Sequence, residues 1–451
     1  MAAAPAPLRT LLRLSAPMVL ARACQSVLTF ADAIQVRHLG VKAIAATATG
    51  GMNVLGFIVL AWGTVFIIQS FVSQLTGRGD RDQAPRFVWY GLAIALVAAV
   101  ISMALTPWLR PALALTHYSP EVQAQMADYM TIRMTSIFAV VGMEVLGNWY
   151  SGLGNTWMQM VSGVVTMVAA VFFNWVLIDG HLGAPAMGVN GAALATSISS
   201  FLGFAVIAVA FWRRWGGAPK ARTAGMSVRE LGRVLRFGLP YGFNWFLEFT
   251  AFQLFINIVL SNLGDTTVAA LNVVTAVNSM SFMPAFGLAS AGAILVGQTI
   301  GRGARDAVWP VVRLTLACAM TWMGAIGVIY AVFPAHVIAM FATEHAGNFV
   351  AVGVTMLLIS AAWQLADAVG ITLSEALRAA GDTIWIATAR VLLVWLAFTP
   401  AAFLTVLKLD GGPVGAMLCL VGYDVLLAIA LAWRFRSGKW KRIELIEPAL
   451  V

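Results

Sequence analysis

Residues 74–82 read Q-L-T-G-R-G-D-R-D, and residues 298–306 read Q-T-I-G-R-G-A-R-D. Six positions agree: Gln74/Gln298, Gly77/Gly301, Arg78/Arg302, Gly79/Gly303, Arg81/Arg305 and Asp82/Asp306. The offset is 224 at each, about half of the 451 residues. The same spacing relates Leu39-Gly40 to Leu263-Gly264, Ala45-Ala46 to Ala269-Ala270, Gly63 to Gly287, and Gly191-Ala192 to Gly415-Ala416. Gly154-Asn155-Thr156 meets Gly381-Asp382-Thr383 after a slip to 227. A fixed-period self-similarity of this extent marks one structural unit used twice in the same orientation.

Composition says what that unit dissolves in. The chain is 60% hydrophobic and 10% charged, where a soluble domain carries about 25% charged residues. It has too little polar surface to cover itself in water, so lipid is its solvent. The net charge of +9 then reads as membrane orientation before nucleic-acid binding, and no nucleic-acid partner is expected. Cys24, Cys318 and Cys419 are scattered in apolar runs, with neither disulfide nor metal-ligand spacing. Arg9 and Arg13 before an apolar run imitate a signal peptide. The run nevertheless carries Arg22, Gln25 and Asp32 and matches the segment from Pro240, so it reads as a retained first span.

Twelve stretches are long enough to span, at roughly 20 residues each. They are 14–38, 43–73, 87–110, 122–147, 157–179, 188–212, 238–262, 267–297, 308–333, 349–374, 384–407 and 412–435. All read as helices, because an open sheet leaves backbone groups unsatisfied in lipid. The predicted fold class is an all-α integral membrane protein of two six-helix lobes related by a parallel repeat. The expected division is an N-terminal lobe 1–212, a basic linker 213–236, a C-terminal lobe 237–435 and a tail 436–451. One side gathers 22 of the 28 Lys and Arg, counting Arg313 and Arg390 at its edge. The positive-inside rule puts that side, and both termini, in the cytoplasm of a cell inner membrane. The duplicated loops then read as cytoplasmic turns, their glycines free to adopt left-handed backbone. A nucleotide-binding reading of G-R-G fails, with no preceding strand and no following G-K-[ST]. Pro17 and Pro240 are expected in the first turn of a helix, and Pro284 to break the eighth span.

A charge at the bilayer centre costs roughly 2.5–3.5 kcal/mol on the insertion scale, so each one kept needs a reason. In the first span Arg22, Gln25, Thr29 and Asp32 fall on one stripe. Tyr241, Asn244 and Glu248 do so in the seventh, and Ser360, Gln364, Asp367 and Ser374 lie near one face of the tenth. Asn174 sits in the fifth span and Glu144 in the fourth. Asp32 aligns with Ile256 of the other half, Glu248 with Cys24, and Asp367 with Val140. The acids therefore read as chemistry added to a common frame. Glu144 and Asp424 read first as buried acids held for packing, and Asp128 and Arg133 as interfacial near the outer face. The five histidines, His38, His117, His181, His336 and His345, read as outer-loop residues. No H-E-x-x-H or G-x-S-x-G constellation appears, so no enzymatic activity is expected.

The residues that carry these readings resemble the MATE family, the multidrug and toxic compound extrusion transporters, over nearly the whole chain. A-D-A-I-Q-V-R-H-L-G at 31–40, the two Q-x-x-G-x-G loops, the L-G-N-T and A-A-G-D-T turns and G-V-N-G-A-A-L-A-T at 188–196 all look like its signatures. Glu248 and the stretch 367–383 resemble its NorM-like branch. The resemblance implies a V-shaped pair of lobes and an antiporter that exchanges organic cations for H⁺ or Na⁺. It makes Asp32, Glu248 and Asp367 the coupling carboxylates, with any bound Na⁺ at Asp32 or at Glu248 and Asp367. Asn174 and Thr196 correspond to an N-lobe cation site, although the acid some members carry four residues after the Asn is Ile178 here. Gln25, Thr29, Tyr241, Asn244 and Gln364 are the expected polar lining of the substrate cavity. The implied partners are small cationic drugs and the lipid bilayer, with no organic cofactor and a monomeric chain. The alternative, a lipid-linked oligosaccharide flippase of the same broader superfamily, needs a strongly basic cavity. The spans here keep only Arg22 and Arg133 against at least four acids. An ion channel is disfavoured because filters use rings of equivalent groups.

Overall fold

A computed structural model describes residues 8–116, 118–217, 219, 226–341 and 348–446, with the side chains of Thr29, Phe30, Ala33, Val41, Ser261 and Asp265 excepted. His117 and His345 lie outside the described residues. Among those described there is no strand.

Twelve helical spans run in chain order. The first six are α1 (Leu8–Val36), α2 (Val41–Val65 continued by Ile67–Arg78), α3 (Pro85–Leu105), α4 (Pro120–Met134 and Ile137–Gly152), α5 (Trp157–Asp179) and α6 (Gly188–Trp212). The second six are α7 (Val228–Leu254), α8 (Asp265–Gly301), α9 (Val308–Val332), α10 (Phe349–Ala379), α11 (Thr383–Leu392 through Thr399–Leu407) and α12 (Gly412–Arg436). Among the described residues nine contain a stretch long and apolar enough to cross a membrane, and the two halves of α4, bent by 46°, make a tenth if they form one span. Helices α1 and α7 each join a basic flank, at the N-terminus and at the end of the linker, to a stretch with polar residues.

The repeat is visible in individual hydrogen bonds. At the end of α2, Gly79 N–H donates to Thr76 O and Asp80 N–H to Leu75 O. At the end of α8, Gly303 N–H donates to Ile300 O and Ala304 N–H to Thr299 O. Gly79 and Gly303 are left-handed, at φ +94° and +77°, as a helix C-terminus closed this way requires. The 227 offset recurs as Asn155 N–H to Tyr150 O and Asp382 N–H to Leu377 O.

Packing divides the chain into two compact units. One spans Leu20–Gly242; the other joins the start of α1, up to Val19, to everything from Phe243 onward. The division falls inside α1 and α7, whereas the sequence suggests the linker 213–236. Glycine spacing on α7 accounts for this. A Cβ on Gly238 would lie 2.6 Å from Thr64 O, and one on Gly242 only 2.3 Å from Leu60 O. The first half of α7 therefore lies directly on α2. Its N-terminal turn is held by Arg86 and Tyr90 of α3, which meet Glu230 at 3.1 and 2.9 Å.

The three prolines correct the expectations. Pro17 and Pro240 lie well inside α1 and α7, because both helices begin in the basic segments outside the apolar run. Pro284 does not break α8, which runs unbroken for 37 residues. One lost N–H is tolerated where the neighbouring backbone stays in register. Two wide π-helical turns, Phe255–Val259 after α7 and Leu393–Phe398 within α11, were not foreseen. Both lie in the second unit.

Candidate functional site

The polar stripe of α1 divides into two clusters in the first unit. Nearer the N-terminus, Arg22 Nη2 donates to Glu144 Oε1 of α4 at 3.1 Å and Nη1 donates to Gln25 Oε1 at 3.3 Å. The guanidinium lies 5.5 Å from the Trp62 ring centre and 5.7 Å from that of Phe66. Asn148 Nδ2 donates to the same carboxylate oxygen at 3.3 Å. A small recess opens beside the pair, lined by Arg22, Gln25, Glu144, Gln159 and Ser162. Glu144 is thus the buried acid held by an arginine that the sequence suggests.

Two to three turns further along, Asp32 is half-buried and belongs to a second group. Asn174 Nδ2 of α5 donates to Asp32 Oδ1 at 2.5 Å and to Gln35 Oε1 at 3.0 Å. Gln35 Nε2 in turn donates to Val171 O at 3.1 Å. From α4, Tyr129 and Arg133 complete the group: the guanidinium bonds the Tyr129 hydroxyl and acts on the Asp32 charge. Arg133 was expected at the interface. It is instead the positive counterpart of Asp32, drawn inward by a carboxylate a hundred residues away in sequence. Asp128 does sit at the surface, paired with Arg110 at 2.8 Å. The Thr196 hydroxyl donates to Ala192 O of its own helix at 2.9 Å, and no bond joins it to Asp32 or Asn174 among the described residues. Asp179 pairs with His38 at 2.7 Å. The Thr29 side chain lies outside the described ones.

In the second unit Glu248 and Asp367 lie close enough for each to feel the other's charge, with partners the sequence did not reveal. Arg390 Nη1 of α11 donates to Glu248 Oε2 at 2.7 Å, and Nη2 donates to Ser374 Oγ at 3.1 Å. The Tyr423 hydroxyl of α12 donates to Glu248 Oε1 at 3.0 Å. Asp367 and Asp424 each feel the charges of Glu248 and Arg390. Arg390 therefore does not belong with the cytoplasmic-edge arginines: its side chain is only 14% exposed. Its signal was its acid partners on distant helices, invisible to a charge count along the chain. Asp424, read first as a packing acid, is a member of this group.

The expected lining residues are mostly closed in. Gln364 is buried, donating from Nε2 to Asn278 Oδ1 at 2.5 Å and accepting from Ser281 Oγ at 2.8 Å. Its amide joins α10 to α8 and faces no opening. Tyr241 and Asn244 are buried too. Tyr241 packs near Phe66, in the first unit, whereas Asn244, in the second, keeps a buried Oδ1 with no hydrogen-bond partner among the described residues. Among the described lining residues, Gln25 is exposed and stands beside a recess.

The MatE family model matches residues 17–176 and 240–403, once in each half. A probable multidrug resistance protein NorM of Thermotoga maritima is 26% identical over 440 residues, covering 96% of this chain and 93% of the relative. Another, of Pseudomonas putida, is 27% identical and covers 98% and 96%. The multidrug resistance protein PmpM of Pseudomonas aeruginosa is 27% identical, covering 84% and 80%. In three dimensions a MOP superfamily transporter of Pyrococcus furiosus superposes with a TM-score of 0.89 at 20% identity, covering 97% of each chain. The eukaryotic MATE transporter AtDTX14 does so at 0.84 and 18%, covering 96% of each. With the family model matched in both halves and the fold shared from end to end, the chain belongs to the MatE family of membrane transporters and is not an enzyme.

Proposed function

We propose that the protein is a multidrug exporter of the inner membrane that expels organic cations in exchange for H⁺ or Na⁺. The observation that carries this reading is a carboxylate held among polar partners in the helices of the first unit, Asp32, and a group of three in the second, Glu248, Asp367 and Asp424. Lipid would exclude such charges unless they served a charged cargo or ion. The NorM and PmpM names of the relatives support drugs as that cargo.

In the first unit the working carboxylate is Asp32. As a carboxylate it accepts from Asn174; once protonated it becomes a donor, and the Asn174 amide must turn to offer oxygen. Asn174 Oδ1 is buried with no partner among the described residues, so that acceptor is available. The same oxygen and the Asp32 carboxylate suit a hard cation, which takes oxygen ligands. Either event removes a negative charge that would hold a cationic drug. In the second unit Glu248, Asp367 and Asp424 outnumber Arg390. A proton or cationic cargo relieves their mutual repulsion, so ion and drug compete. Binding then shifts the balance between arrangements open to one side of the membrane and the other, which is alternating access.

The flippase reading finds little support. Arg22, Arg133 and Arg390 each stand beside a carboxylate, which disfavours a basic cradle for pyrophosphate. The test is ethidium efflux from proteoliposomes, with proton and sodium gradients imposed separately. Efflux driven by at least one gradient is expected; no efflux under either sinks the proposal. Reporters fused at positions 184 and 218 should report opposite compartments if both termini are cytoplasmic.

A further inference from the structure

We infer that Arg390 is the resident cation of the C-terminal acid cluster, and that it excludes Na⁺ from it. The inference rests on the ion-coupled reading above and narrows it for one of the two units.

A sodium ion is held by several oxygen lone pairs, with at least one carboxylate supplying charge. Both oxygens of Glu248 are already engaged, Oε2 by Arg390 Nη1 at 2.7 Å and Oε1 by the Tyr423 hydroxyl at 3.0 Å. Ser374 Oγ, another candidate ligand, accepts from Arg390 Nη2 at 3.1 Å. One guanidinium thus satisfies two of the groups an ion would need, from a side chain that is 14% exposed. Among the described residues no three His, Cys, Asp or Glu side chains converge closely enough to ligate one ion. To bind at Glu248, Na⁺ would have to sit against the Arg390 guanidinium or displace it from a charge-assisted bond, and either is unfavourable.

The charged and titratable groups that face the cluster are Glu248 on α7, Asp367 on α10, Arg390 on α11, and Tyr423 and Asp424 on α12. Arg390 is the specificity-determining residue, and it acts through the positive charge it places against Glu248 and Ser374.

The test is equilibrium binding of ²²Na⁺ to the purified full-length chain in detergent, read independently of transport. In the parent protein, Na⁺ binding should be the same with and without Glu248→Gln, whatever the first unit binds. Arg390→Gln should add a sodium site of about one ion per chain, and Glu248→Gln in that background should remove it. Arg390→Lys serves as the charge-preserving control should Arg390→Gln unfold, and it should leave Na⁺ binding at the parent level. Parent Na⁺ binding that falls on Glu248→Gln or Asp367→Asn overturns the inference, as does a folded Arg390→Gln protein with no added site. Loss of dye efflux under both gradients would instead count against the exporter reading, because these binding outcomes do not depend on it.

Discussion

Removing Glu144 should be among the most destabilising single changes in the first unit. Its carboxylate and the Arg22 guanidinium are each 5% exposed and meet at 3.1 Å. At an effective dielectric of 20, two unit charges at that distance attract by about 5 kcal/mol. Glu144→Gln deletes that attraction but leaves the Arg22 charge buried, beside Gln25 and the rings of Trp62 and Phe66 among other neighbours. Cation–π contacts return about 0.5–2 kcal/mol. The net loss should fall near the roughly 3–5 kcal/mol found when one member of a buried pair is removed. Replacing both members by Met removes the orphaned charge as well as the attraction. The double variant should therefore be closer to the parent than either single one, a non-additivity at least as large as the cost of one single variant, about 3–5 kcal/mol. The assay is reversible unfolding in mixed micelles, followed by tryptophan fluorescence, on the four members of the cycle. Single variants within about 1 kcal/mol of the parent, or a double variant equal to the sum of the singles, would refute the reasoning.

Three further outcomes are expected. Asp32→Asn should keep the fold but lower ethidium efflux at least tenfold in proteoliposomes, since an amide cannot alternate between charged and neutral forms; parent-level efflux from a folded variant would contradict it. Glu248→Gln and Asp367→Asn should affect drug affinity non-additively, by roughly 0.5–3 kcal/mol in a double-mutant cycle; additive effects would show that they do not share a site. The C-terminal tail is held by buried Trp440, by Arg305 donating to Lys441 O, and by the exposed Lys441–Asp306 pair. Trp440→Ala should lower local stability by about 3–5 kcal/mol and hasten tryptic cleavage at Lys439–Arg442, whereas Lys441→Gln should leave cleavage nearly unchanged. Lys441 holds the Asp306 carboxyl below its usual 3.8. The pair's small contribution is therefore full at neutral pH and lost only as pH falls through that lowered value.

The spans were legible because hydrophobic length and an exact internal offset report the same thing twice. Their starts were less so. Leu8–Ala16 and Val228–Leu239 are helical although basic, and only the packed structure shows them continuing beyond the apolar run. The acids of the candidate site could be read directly, since a carboxylate in a lipid-spanning stretch is conspicuous. Their cations could not. Arg133 and Arg390 sit near span ends, where arginine is ordinary, and only the fold brings them to Asp32 and Glu248. Gln364 failed differently: it shares a helical face with Asp367, but a side chain on the right face can be fully committed to a neighbouring helix.

The two wide turns, Phe255–Val259 and Leu393–Phe398, bear on which length changes the chain tolerates. Deleting a residue from an ordinary helical span swings everything beyond it by about 100° around the axis. A π turn already contains one residue more than the α-helical pattern needs. Deleting Ile256, or Val394, should let the turn relax to an ordinary one while the flanking faces keep their phase, so Glu248 and Arg390 still meet. The same deletion one turn away, at Phe252 for example, should scramble the packing of the span. These two places are where single-residue gaps between this chain and its relatives are best accommodated inside a membrane-crossing helix.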